Sequence, residues 1–201
     1  MKPNSTTHKC TESDCRRFFS DSVEGLRWLC YTLTGEAELT EQALDAALAQ
    51  SLQGAGQVFS GWMPSWTRRL IIKFCIASAR PAESPLGQCA YPIFPMTFGS
   101  MNSERIRGLL DLPAATLQEK LLRLDGLSRF VFVLRALEGY SRRDTALLLN
   151  VDDRACEWTY VWAIGTLGSN APSAKGEEFN AVPSFARQYE GNASLEPVTA
   201  I

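Results

Sequence analysis

Residues Leu127–Leu167 read LSRFVFVLRALEGYSRRDTALLLNVDDRACEWTYVWAIGTL, and this stretch decides the fold. Leu127, Phe130, Val131, Leu134 and Leu137 recur on a 3.6-residue period, which predicts one apolar helical stripe. Gly139 is the expected stop. Ser141 and Asp144 form a capping-box pattern that starts a second helix, with Ala146 to Leu149 on its buried side. Asn150 tolerates a left-handed backbone and is expected to end that helix. Asp152 is the expected N-cap of a third helix, with Val151 placed to pack on Cys156. Short helices joined by such a turn predict a helix-turn-helix, whose second helix enters a DNA major groove.

On the third helix the period puts Cys156, Tyr160, Ala163, Ile164 and Leu167 inward. It puts Arg154, Glu157, Trp158, Val161 and Trp162 outward. Between Asp152 and Ile164 a single arginine stands against three carboxylates, on the helix expected to approach a polyanion. Two readings of this face stay open. In one, Arg142, Arg143, Arg154 and Trp158 meet DNA; in the other, Trp158, Val161 and Trp162 form a protein-contact surface.

The segment LDGLSRFVFVLRALEGYSRRDTALLLNV (124–151) resembles the C-terminal helix-turn-helix, region 4, of extracytoplasmic-function sigma factors. These are the small promoter-recognition subunits of bacterial RNA polymerase. The resemblance is carried by Leu134-Arg135, Glu138-Gly139-Tyr140-Ser141, Ala146, Leu149 and Val151. Family members carry Lys or Arg where this chain has Glu157, Thr159 and Trp162 on or near the corresponding positions.

Toward the N-terminus three helical patterns follow one another. The first begins near Phe18, with Val23, Leu26, Leu29, Cys30 and Leu33 on one face and Gly35 as its stop. The second, EAELTEQALDAALAQSL, carries Leu44, Ala47, Leu48 and Leu52 along a stripe and ends at Gly54 and Gly56. Pro64-Ser65-Trp66 opens the third, which ends before Pro81. These helices resemble sigma region 2, which grips the polymerase and melts promoter DNA. The matching residues are Leu33-Thr34-Gly35, Glu36, Glu41, Trp66, Arg69 and Arg80. The resemblance implies polymerase contacts at Glu41, Gln42 and Asp45, and DNA contacts at Arg68, Arg69, Lys73 and Arg80. The plainer account of the basic quartet is a solvated helix face beside Leu70, Phe74 and Ala77.

The expected layout is all-α: a disordered N-terminus over 1–17, a helical domain over 18–80, a Pro-rich linker over 81–103, a helix-turn-helix domain over 104–168, and a disordered tail over 169–201. In the linker Tyr91, Phe94 and Phe98 are free to pack on either domain or a partner; in the tail only Phe179, Phe185 and Tyr189 are aromatic. At 201 residues, 45% hydrophobic, the chain can bury a substantial core. A net charge of −2 argues against strong non-specific nucleic-acid binding. No apolar run approaches a bilayer span and no signal-peptide core is present, so a cytoplasmic protein without membrane contact is expected.

The six cysteines lack the density of a secreted disulfide framework and are expected reduced. His8, Cys10 and Cys15 could supply three metal ligands, but their spacing fits no common zinc motif and a fourth is missing. One histidine and no phosphate-binding glycine loop argue against an enzyme, and no cofactor is expected. The implied partners are core RNA polymerase, promoter DNA and an anti-sigma protein. The alternative is a degenerate relative that keeps the fold as a protein-interaction module.

Overall fold

A computed structural model describes residues 8–80 and 101–168. The expected tail, its aromatic residues, and most of the linker, including Tyr91, Phe94 and Phe98, lie outside the described residues. The fold is all-α: the one departure from helix pairing among the described residues is a bridge between Lys9 and Phe59.

Helix α1 spans Glu12–Thr34 and so begins ahead of the expected start at Phe18. Local chemistry explains the earlier start. The Thr11 hydroxyl accepts from the Asp14 amide at 3.2 Å while the Asp14 carboxylate accepts from the Thr11 amide at 3.0 Å, a complete capping box. Residues 8–10, part of the stretch expected to be disordered, are stitched to the loop before α3. The Cys10 amide donates to Val58 O at 2.8 Å, and Gly56 and Ser60 donate to Cys10 O at 2.7 Å and His8 O at 3.0 Å. Gly35, at φ +76°, closes α1 as expected.

Helix α2 (Ala37–Gln53) buries Thr40, Ala43, Leu44, Ala47 and Ser51, whereas Leu48 and Leu52 of the expected stripe are half-buried. The face is therefore rotated toward small and hydroxyl residues. Thr40 can lie inside because its hydroxyl donates to Glu36 O at 2.7 Å. A 3-10 turn and Pro64 open α3 (Met63–Ala79), and Arg80, at φ +43°, ends it ahead of Pro81.

The remaining helices are α4 (Met101–Leu110), α5 (Ala114–Leu122), α6 (Gly126–Phe132, extended by a π turn through Val133–Leu137), α7 (Arg142–Leu149) and α8 (Asp153–Gly168). Asp125 caps α6 by accepting from the Ser128 amide at 3.1 Å. All five residues of the stripe from Leu127 to Leu137 face the core, Leu137 at its margin.

One core runs through α1–α3 and α4–α8. Leu26, Leu29, Leu33 and Ile71 share it with Leu121, Leu127, Phe130, Leu134 and Ile164, each contributing about 1.5–3 kcal/mol of burial. Polar contacts reinforce the junction. Trp28 Nε1 donates to Ala114 O at 3.3 Å, and the Gln118 amide donates to Thr32 Oγ1 at 2.8 Å. Arg129 donates to Leu33 O at 3.1 Å and Thr34 O at 3.2 Å, satisfying carbonyls that the end of α1 leaves open.

Candidate nucleic-acid and partner interface

The α7–α8 unit is held by three local devices. Ser141 Oγ accepts from the Asp144 amide at 3.1 Å and starts α7. Asn150 sits at φ +53°, ψ +47°, with its own amide on Leu147 O at 3.3 Å and the Val151 amide on Ala146 O at 3.0 Å. That pair of bonds is a Schellman closure, with Val151 packed back on the core beside Ala146. Asp152 then accepts from the amides of Arg154 (2.8 Å) and Ala155 (3.3 Å) and starts α8.

This turn brings cations to the N-terminus of α8. Arg142 pairs with Asp153 at 2.7 Å, both side chains about half-exposed, so the first turns of α7 and α8 lie side by side. Arg143 and Arg154 are exposed next to that pair. The positive end of the α8 dipole points the same way.

Further along α8 the expected outward face divides. Trp158 and Trp162 stack at 5.5 Å between ring centroids and 7° between planes, Trp158 half-buried and Trp162 38% exposed. Val161 is half-buried. Glu157 turns to Arg135, 2.7 Å away, and Arg135 also lies 3.9 Å over the Tyr160 ring. Thr159, placed by the resemblance near DNA, is buried in the core. Burial pushes the Tyr160 hydroxyl up, against the lowering influence of Arg135. On α7, Leu147 is 71% exposed and Leu148 is exposed beside it.

The basic residues of α3 have divided roles. Arg68 grips Glu138, in the turn before α7, through two bonds of 2.6 and 2.9 Å. Arg69 lies beside Tyr140, whose hydroxyl burial pushes up and Arg69 pulls down. Lys73 is exposed, and Arg80 occupies the left-handed C-cap. Ile72, the neighbour of Lys73, is buried.

On α2, Glu41 pairs with Arg27 of α1 at 3.0 Å, Gln42 donates to Glu38 at 3.2 Å, and Asp45 is exposed, so the three share one outer face. Near the N-terminus, His8 Nδ1 faces Ser60 Oγ at 3.4 Å while Cys10 and Cys15 meet each other. Among the described residues no group of three or more metal-ligating side chains comes together. No helix of the described residues is long and apolar enough to cross a membrane.

Sequence reasoning did not find Arg129, Arg135 or Glu138 as contact residues. Their partners lie far along the chain, and neither the period of a helix nor the chemistry of a cap points to them. No family model, curated protein or solved structure matches the chain.

Proposed function

We propose that this chain is a sigma-like transcription-initiation factor that binds core bacterial RNA polymerase in the cytoplasm and directs it to promoter DNA. In this reading α1–α3 form the region 2-like part and α7–α8 the helix-turn-helix, with α8 entering the major groove. The observation that carries it is the Arg142–Asp153 pair. It gathers Arg142, Arg143 and Arg154 at the N-terminus of α8, the end at which a recognition helix meets bases and phosphates. The outer face of α2 supplies Glu41, Gln42 and Asp45 for the polymerase. On α3, Lys73 and Arg80 are assigned to DNA with Arg68 and Arg69, but Arg68 reaches a phosphate only if Glu138 releases it. No catalytic step and no cofactor belong to this function.

The test is binding of the full chain to core RNA polymerase, followed by transcription from genomic fragments with the complex. Initiation at discrete sites is expected. Replacing Arg142, Arg143 and Arg154 with alanine should weaken promoter binding and lower the salt slope by about one unit for each phosphate that is no longer neutralised. An unchanged slope removes these residues from the interface.

The stacked Trp158–Trp162 pair and the inward turn of Glu157 favour a second reading, a sigma-fold module that binds a protein such as an anti-sigma factor. Here the polymerase complex forms without initiating, and Trp158→Ser with Trp162→Ser abolishes partner binding in a folded chain.

A further inference from the structure

Four of the described cysteines come in two pairs. Cys30 of α1 neighbours Cys75 of α3, both fully buried in the main core. Cys10 and Cys15 lie in a small satellite cluster with Met63, their sulfurs 3.5 Å apart. All four are closed to solvent, Cys10 at 2% exposure and the others at 0%, and what sets the Cys10–Cys15 pair apart is the space beside it. Cys10 lines an open cavity of about 300 Å³, with Asp14, Arg17 and Ser60 on its walls. Cys10 ends the short segment hydrogen-bonded to residues 56–60, and Cys15 stands in the first turn of α1. The Thr11–Asp14 capping box between them holds the two sulfurs near each other before any bond forms.

We propose that Cys10 and Cys15 are a disulfide-forming site, oxidised by small disulfides of the glutathione type that enter at Cys10, while Cys30 and Cys75 stay reduced. A disulfide needs a sulfur separation of about 2.05 Å, so closure asks for about 1.5 Å of approach, within reach of side-chain rotation. The chemistry is two exchanges. Cys10, as thiolate, attacks one sulfur of the small disulfide, releases one small thiol and becomes a mixed disulfide. Cys15, as thiolate, then attacks the Cys10 sulfur and releases the second small thiol. Two protein thiols are oxidised to one disulfide, one small disulfide is reduced to two thiols, and both thiol protons pass to the departing thiolates. Burial holds the Cys10 thiol protonated at neutral pH, which makes the exchange slow and an equilibrium measurement the right one. The product ties the Lys9–Cys10 segment covalently to α1, and with it the loop that Cys10 O and His8 O hold.

The sequence makes the test direct. Trypsin cuts after Lys9 and Arg16, so both cysteines fall on one peptide, Cys10–Arg16. The full chain is equilibrated in oxidised and reduced glutathione of graded ratio, quenched, denatured, alkylated and mapped. The expected product is that peptide short of two hydrogens and unalkylated, at ratios where Cys30 and Cys75 are fully alkylated. In Cys15→Ser the reaction should stop at a glutathione adduct on Cys10. The amides of Gly56 and Ser60 should exchange several-fold more slowly in the oxidised chain. A doubly alkylated peptide, a persistent glutathione adduct in the wild type, or oxidation of Cys30 and Cys75 at the same ratio overturns the site. Unchanged exchange at Gly56 and Ser60 overturns the locking. Should Cys15→Ser fail to fold, the wild-type map alone decides.

Discussion

At the scale of single residues, the turn between α7 and α8 rests on Asn150 and Asp152. Asn150 is one of two non-glycine residues with positive φ among the described residues. A β-branched side chain there meets the left-handed penalty of about 1–2 kcal/mol, whereas glycine escapes it. Asn150→Val is therefore expected to lower unfolding free energy by about that amount and Asn150→Gly to change it by a few tenths, as read by urea denaturation. Asp152→Ala removes the acceptor for two amides and should cost about 1 kcal/mol. Equal stability of the three variants would mean that α8 is not started by this turn. Chemistry of this kind is legible in the sequence because cap and partner lie within five residues. Glu157 and Thr159 were not legible for the opposite reason. Glu157 is claimed by Arg135, and Thr159 is turned inward because α8 buries Ala155, Cys156 and Thr159 together on the side facing α6 and α7.

At the scale of elements, the junction of α3 with the turn before α7 depends on an asymmetric ion pair. The Glu138 side chain is 7% exposed and that of Arg68 45%. Removing Arg68 leaves a nearly buried carboxylate without its charge partner, a loss of about 2–3 kcal/mol. Removing Glu138 leaves a guanidinium that water can solvate, a loss of about 1 kcal/mol or less. Arg68→Ala should thus destabilise clearly more than Glu138→Ala, and the double variant should lie close to Glu138→Ala alone. Additive losses would show that the two side chains act separately. The same element scale explains Arg129. α1 ends without a basic residue in its last turn, and α6 provides the missing cation from across the core. Helix order, stops and stripes follow a period that the sequence displays, which is why α1, α3, α6, α7 and α8 were legible apart from their ends. Which helix faces which does not follow from a period, so the engagement of Arg68 with Glu138 and of Arg69 with Tyr140 was not.

At the scale of the molecule, the shared core predicts one cooperative unit with a particular alkaline weakness. Burial pushes the Cys156 thiol up to about 11 and the Cys10 thiol up to about 12. The hydrogen bond to Cys30, and then burial, raises Cys75, and burial raises Tyr140 and Tyr160. Each of these groups is neutral when protonated and holds its proton more tightly folded than unfolded. Their stabilisation is complete below the unfolded thiol value of about 9 and is lost as pH rises through the folded values. Between about pH 9 and 11 each such thiol binds its proton only in the folded chain, so each lowers stability by about 1.4 kcal/mol per pH unit. Urea denaturation under reducing conditions should therefore show one transition whose midpoint is level near pH 8 and falls steeply above about pH 9. Cys156→Ala begins from a lower stability but lacks one titrating group. Its decline between about pH 9 and 11 should be shallower by about that slope, because the void it leaves has no proton to lose. Parallel curves for the two proteins would mean that Cys156 is as free to ionise folded as unfolded. Two separate transitions would mean that α1–α3 unfold without α4–α8, and that the core common to Leu29, Leu127 and Ile164 does not bind them into one unit.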